Sequence, residues 1–294
     1  MRILITGATG LLGAEVAKHF RKNWQEVIEC TRTPLATANS HRVSMDITDP
    51  DQVAAIFDAV RPEVVVHCAA MTHVDACETD PQEAYRVNTF GTEVIAAHCQ
   101  RVGAVCVYIS TDYVFDGAKG APYHEYDTPN PLSVYGRSKY LGEQAVQALC
   151  PRHYIVRVAW LYGVGRKTFP QFVLDAARQG QSPTVIADQI GSPTYVADVA
   201  DRLLRLVQTD CYGVYHLTNP PPVSRYEFAC ALLEAAGLSV QPTPLPMAQW
   251  QTPAPRPAYS ALTSWRLPWA GVPPMPDWRD AMRRFLHALG QVSS

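Results

Sequence analysis

A chain of 294 residues with 47% hydrophobic content has room for one nucleotide-binding unit and a smaller companion. Its net charge of −2 and lack of any basic run argue against nucleic acid or an anionic membrane as partner and for a small-molecule ligand. No stretch approaches the roughly 20 apolar residues of a membrane span, and Met1-Arg2 leads straight into an apolar run rather than a signal peptide, so a soluble, cytoplasmic protein is expected.

The first run, Arg2 to Thr6, reads as a strand that breaks into Gly7-Ala-Thr-Gly10-Leu-Leu-Gly13 and then into a helix from Ala14. Glycines in such a turn allow positive φ and close approach of backbone to a ligand. The helix behind them aims free N–H groups and a partial positive charge at a pyrophosphate. Strand and helix patterns then alternate: a strand at Glu26–Thr31, a helix from Asp51 to Val60, a strand at Val64–Cys68, a helix from Pro81 to Arg101, and strands at Ala104–Ser110 and Tyr154–Val158. This alternation predicts a doubly wound, parallel α/β sheet of Rossmann type with a smaller C-terminal substrate domain.

Residues 1–165 are expected to form the dinucleotide-binding domain, with 184–217 returning to it, and 166–294 to be mainly substrate-binding. Within the latter, Phe169–Arg178 reads as a helix and Thr184-Val185-Ile186 as a short strand, with the doubly wound core continuing past residue 150. Ser224-x-x-Glu227 is a capping box opening a helix through Ala236. Pro242–Pro246 reads as a linker, and Asp277–Leu286 as a terminal helix.

The eight cysteines lack C-x-x-C pairs and read as buried thiols of a reducing compartment. His67 and His73 flank Cys68 without metal-ligand spacing, so both are taken as structural or substrate-facing and no metal site is expected.

Ligands of open α/β sheets bind beyond the carboxyl ends of the strands. After the second strand, Cys30-Thr31-Arg32-Thr33 lacks the acidic residue that would bond a ribose 2′-hydroxyl, and Arg32 suits a 2′-phosphate instead. NADP(H) is therefore preferred, with NAD(H) as the second choice. Asp46 and Ile47 are positioned for adenine. Cys68, Ala69 and Ala70 are small enough to admit a cofactor ribose, and Ser110 ends the next strand beside Thr111. Tyr135 and Lys139 lie four apart at the start of a helix and so share a face. A cation within about 4–6 Å of the phenol should lower its pKa by a unit or more. Tyr135 could then hand a proton to a carbonyl oxygen to which Thr111 hydrogen-bonds.

The segments GATGLLG, STDYVFDG, YGRSK, ADQIGSPT and RPAYSAL together resemble the extended short-chain dehydrogenase/reductases, and most closely the dTDP-4-dehydrorhamnose reductases. The resemblance covers nearly the whole chain. It implies Thr111, Tyr135 and Lys139 as the catalytic group, and a glycine turn of Gly7, Gly10, Leu11, Leu12 and Gly13 on the cofactor. On the substrate side it implies Asp112, Tyr113, Val74, a stacking Trp160, and Arg256 on the nucleotide pyrophosphate. Gln189, Gly191, Pro193 and Thr194 look like its substrate-domain segment.

The implied activity is NADPH-dependent reduction of the C4 ketone of a dTDP-6-deoxy-4-ketohexose. Where such reductases show Arg-Pro-x-Asn-Ser, this chain has Arg256-Pro257-Ala258-Tyr259-Ser260, which bears on the sugar-nucleotide contacts. Tyr113 stands where a 4,6-dehydratase carries an acid, and Arg32 argues against the tightly held NAD of an epimerase. A non-catalytic NADP-binding regulator like the methionine adenosyltransferase β subunit stays open as an alternative, as does another sugar-nucleotide epimerase or reductase, and a homodimer is left open.

Overall fold

A computed structural model of the chain describes residues 1–24, 26–33 and 41–290, so the last four positions of the expected C-terminal unit lie outside the described residues. The first half runs β1 (Arg2–Thr6), α1 (Leu11–Arg21), β2 (Glu26–Thr31), β3 (Arg42–Ser44), α2 (Pro50–Val60), β4 (Val64–His67), α3 (Val74–Thr79), α4 (Pro81–Tyr85), α5 (Gly91–Val102) and β5 (Val105–Thr111). It continues with α6 (Val134–Leu149), β6 (His153–Val158), β7 (Leu161–Tyr162), α7 (Phe169–Arg178), β8 (Thr184–Ile186), β9 (Ile190–Gly191), β10 (Thr194–Tyr195), α8 (Val196–Leu206) and β11 (Gly213–His216). The last elements are β12 (Val223–Ser224), α9 (Arg225–Ala235), β13 (Thr243–Leu245) and α10 (Trp278–Ala288).

Seven parallel strands form the main sheet in the order β11-β6-β5-β4-β1-β2-β3. The chain winds outward from β1 to β3 on one side and from β4 to β6 on the other. The crevice beyond the carboxyl ends of β1 and β4 is therefore the switch point where a ligand fits. Strands buried on both faces read as unbroken apolar runs, and β5 is buried at every position.

Alternation along β1 divides the core. Ile3 and Ile5 pack with Val16 and Phe20 of α1 and Leu203 of α8, whereas Leu4 faces Val53 and Phe57 of α2 and Ile95 of α5. Each fully buried side chain of this kind is worth about 1.5–3 kcal/mol. A third core joins α7, α9 and α10 through Val173, Leu174, Phe228, Leu232, Trp278 and Phe285.

The capping box at Ser224 and Glu227 forms and opens α9. β11 joins the main sheet beside β6, and α8 packs against α1. The short strand at Thr184–Ile186 forms, but it pairs in parallel with Thr243–Leu245 instead of extending the main sheet. The proline stretch Pro242–Pro246 thus contains a strand where a linker is expected. Pro244 lies in β13, whose other edge has no strand beside it among the described residues, and such an edge tolerates a missing N–H. No helix among the described residues is long and apolar enough to cross a membrane.

Candidate active site

A cavity of about 940 Å³ opens at the switch point. Its floor is the glycine turn. Gly7 has φ +66°, and a Cβ there would lie 2.7 Å from the Ala69 nitrogen, so glycine is what lets the ends of β1 and β4 close together. A Cβ on Gly13 would lie 2.3 Å from the Gly7 carbonyl oxygen. The turn is held by Gly10 N donating to Gly7 O at 2.8 Å. Helix α1 then starts with no acidic residue in its first turn and no side chain capping Gly10, leaving its N–H groups for an anion. Leu11 and Leu12 complete this wall.

Arg32 is exposed at the far rim, with Asp46 and Ile47 across from it. Asp46 Oδ1 already accepts from the Thr48 nitrogen at 2.9 Å and its hydroxyl at 2.8 Å, which fixes the carboxylate. Burial pushes the Cys30 thiol up to about 12, so the residue at the end of β2 is neutral and does not repel a phosphate. Cys68, Ala69 and Ala70 line the wall at the end of β4. A glycine cradle, a free helix start and a cation at the rim suit the diphosphate and ribose phosphate of a dinucleotide.

Tyr135, Lys139, Ser110, Thr111 and Asp112 meet on the opposite wall. Helix α6 begins at a Ser133 cap whose hydroxyl accepts from Gly136 N at 3.1 Å. Gly136 packs so closely on the Tyr113 carbonyl that a Cβ would sit 2.1 Å from its oxygen, which brings the Tyr135 turn down onto the end of β5. The Thr111 hydroxyl donates to Asp112 Oδ1 at 3.0 Å and accepts from Tyr113 N at 3.1 Å.

The expected ammonium-lowered phenol is not what this geometry gives. Burial is the largest influence on the Tyr135 phenol and raises its pKa above the ordinary value, with the Thr111 hydroxyl pulling the other way, and Lys139 is not among the leading influences. The Lys139 Nζ instead stands 4.0 Å over the centre of the Tyr108 ring. Burial brings Lys139 down to about 7, opposed by the carboxylate of Glu143 one turn further along α6. Helical spacing puts two side chains on one face but does not fix the burial that decides their charge. Burial also lifts Asp112 to about 6, against Ser260, Thr111 and Arg225, and its Oδ2 has no hydrogen-bond partner among the described residues.

Behind this wall lie residues the sequence reading missed. Arg157 donates to both oxygens of Glu143, at 2.9 and 2.7 Å, and the Ser110 hydroxyl donates to Glu143 Oε1 at 2.5 Å. Ser110 is therefore committed to this buried pair even though it lines the cavity. Continuing the Tyr135–Lys139 period by one turn reaches Glu143, which is the signal that could have found it.

Asn88 sits in a π-helical turn, Arg86–Phe90. Its side chain exchanges hydrogen bonds with the Met71 backbone, at 2.8 and 3.0 Å, and donates to Ser138 Oγ at 3.0 Å, tying the end of β4 to α6. His67 and His73 are both structural. His67 bridges the hydroxyls of Thr6 (2.7 Å) and Thr92 (3.1 Å), and His73 accepts from Ala76 N (3.1 Å) at the start of α3.

Trp160 reaches the cavity from the end of β6. Its φ of 42° is unusual for a bulky residue, and its indole N–H is buried without a partner among the described residues. Gly191 leaves room for the ring, and the Arg225 guanidinium lies 3.9 Å over it, held by Nε donating to Gln189 Oε1 at 2.7 Å.

Three expected substrate residues do not line the cavity: Tyr113, Val74 and Arg256. Tyr113 is buried, edge-on to Tyr135 at 6.0 Å, and Val74 is half-buried at the start of α3. Arg256 is taken up by Asp75, with Nη1 at 3.0 Å from Oδ1 and Nη2 at 2.8 Å from Oδ2, and by Thr252 and Ala254. A carboxylate 181 positions away neutralises it, and sequence spacing gives no hint of that pairing.

Fold and cavity together define the extended short-chain dehydrogenase/reductase class. A family model described as RmlD substrate binding domain matches residues 1–291. The chain is 40% identical over 301 residues to the dTDP-4-dehydrorhamnose reductase of Mycobacterium tuberculosis, covering 100% of this chain and 95% of that protein. It is similar to the crystal structure of a dTDP-4-dehydrorhamnose reductase from Clostridium acetobutylicum, with TM-score 0.92 and 38% identity over 99% of this chain and 100% of that one. The reductase of Bacillus anthracis, solved in complex with NADP, gives TM-score 0.89 and 36% identity over 98% and 99%. The chain belongs to the RmlD substrate binding domain family.

Proposed function

We propose that the protein is a cytoplasmic reductase that uses NADPH, with NADH as a weaker substitute, to reduce the C4 ketone of a dTDP-linked 6-deoxy-4-ketohexose, giving dTDP-L-rhamnose from dTDP-4-dehydro-L-rhamnose. The observation that carries it is the meeting of Tyr135, Lys139 and Thr111 on the wall facing the glycine cradle, in a chain of this family. NADPH, when bound, supplies the hydride. Gly7, Gly10 and Gly13 with the start of α1 would hold its diphosphate, and Arg32 its 2′-phosphate.

Burial keeps the Tyr135 phenol protonated, which suits a group that must give a proton to the ketone oxygen. Lys139, its pKa brought down to about 7 by burial, would hold the nicotinamide ribose on the same wall. The Thr111 hydroxyl donates to the same ketone oxygen once substrate displaces its bond to Asp112. Asp112, with a free Oδ2, accepts from a sugar hydroxyl, and the unpartnered indole N–H of Trp160 donates to the sugar nucleotide.

Mixing the protein with NADPH and dTDP-4-dehydro-L-rhamnose should consume the nicotinamide absorbance with formation of dTDP-L-rhamnose. Binding of NADPH without oxidation in the presence of this sugar would contradict the reading and favour a regulatory role.

A further inference from the structure

Between β7 and α7 the chain makes a short loop over the glycine turn. Both of its ends are fixed. Gly163 is wedged against Val196, where a Cβ would come within 2.4 Å, and against Leu11 at 3.5 Å, and its carbonyl accepts from Gln171 Nε2 at 2.9 Å. Thr168 caps α7 in a reciprocal capping box with Gln171. Gly165, with φ +103°, makes the bend between these anchors. The bend delivers Arg166 and Lys167 to the cavity wall, and Arg166 Nη2 donates to the carbonyl of Thr9, inside the glycine turn, at 2.8 Å.

Lys167 is already paired with Asp175 at 3.2 Å, whereas Arg166 makes no ion pair among the described residues. The glycine turn itself supplies only backbone N–H groups and the partial charge of α1 to an anion, and no side-chain cation of its own. An exposed guanidinium resting on a carbonyl of that turn can exchange this one neutral acceptor for two phosphate oxygens in a charge-assisted fork.

We infer that Arg166 is a cofactor-binding residue, a strap from the second half of the chain that closes on the diphosphate of the dinucleotide. The inference rests on the cofactor reading above. It assigns the two phosphate groups to two different cations: Arg32 takes the 2′-phosphate that distinguishes NADPH from NADH, and Arg166 takes the diphosphate common to both.

The test is equilibrium binding of NADPH and of NADH, read by nicotinamide fluorescence without sugar nucleotide, on the full chain and on Arg166→Ala and Arg166→Lys. The Arg166→Ala change should raise the Kd of both cofactors by the same factor, about 5- to 30-fold. Arg166→Lys should recover part of that loss, since charge survives without the fork. At saturating NADPH the KM for the sugar nucleotide should stay within twofold. Equal affinities for wild type and Arg166→Ala would overturn the inference alone. So would a loss confined to NADPH, which would make Arg166 a reader of the 2′-phosphate, or a rise confined to the sugar-nucleotide KM. A wild-type chain that binds neither dinucleotide would overturn the cofactor reading with it. The side chain is exposed, so the variants keep the core intact.

Discussion

The two halves of the cavity are built in different ways. The cofactor half is built mainly on backbone: a glycine turn and a helix start set by neighbours close in sequence, and strand ends that the parallel sheet lines up on one rim. The sugar half is made of side chains that reach across the chain. Trp160 is covered by Arg225, Arg225 is held by Gln189, and Arg256 is drawn away by Asp75. Local geometry fixes the first half, and long-range pairing fixes the second. Substitutions in the cofactor half should therefore act on cofactor affinity one residue at a time, and those in the sugar half should act through partners.

The largest effect belongs to the residue that serves both halves. Tyr135→Phe should lower kcat by about 10²–10⁴-fold while NADPH affinity stays within about threefold, because the proton is lost but the cradle is not. Titration of cofactor fluorescence beside steady-state rates checks both. A matching loss of NADPH affinity would break the separation of the two halves.

Next is Arg32→Glu, which should weaken NADPH by about 10- to 100-fold and leave NADH nearly unchanged, because the carboxylate repels only the 2′-phosphate. Kd values for the two cofactors decide it.

On the sugar side, Asp112→Asn tests buried charge. The folded-state pKa of Asp112, about 6, lies above its ordinary 3.8. The folded protein therefore binds the proton more tightly than the unfolded chain, and stability falls as pH rises from below 3.8 through about 6. The Asn variant should be more stable by about 1–3 kcal/mol above that range and converge with wild type below it, read by denaturant melts at several pH values. A gap independent of pH would mean that Asp112 titrates in the folded protein as it does in the unfolded chain, with no cost of burying its charge.

The smallest effect is expected at Arg256. Because its guanidinium is bound to Asp75 and does not line the cavity, Arg256→Ala should cost a few degrees of Tm, about 2–4 °C, and leave the sugar-nucleotide KM within about twofold. A tenfold rise in KM would mean that substrate pulls Arg256 off Asp75, restoring the pyrophosphate role its motif implies.

The same division explains what could be read from the sequence. Gly7, Gly10 and Gly13, the strand ends at Arg32, Ala69 and Thr111, and the Tyr135–Lys139 spacing were legible because a parallel sheet places every strand end on one rim. All of them line the cavity. The charge states were not, because the Tyr135 and Lys139 pKa values are set by burial, and the aromatic neighbour of Lys139, Tyr108, lies on another element. Nor was the seating of Arg256, which depends on a carboxylate on α3. Val74 and Tyr113 sit beside cavity residues in sequence yet turn away from it, one at a helix start and the other into the core.

The most direct test of the account is isotopic. NADPH carrying deuterium at the transferable C4 position, incubated with the protein and dTDP-4-dehydro-L-rhamnose, should give dTDP-L-rhamnose with one deuterium at sugar C4, detected by proton NMR. Product without deuterium at C4, or no product while the labelled cofactor stays bound, would contradict it.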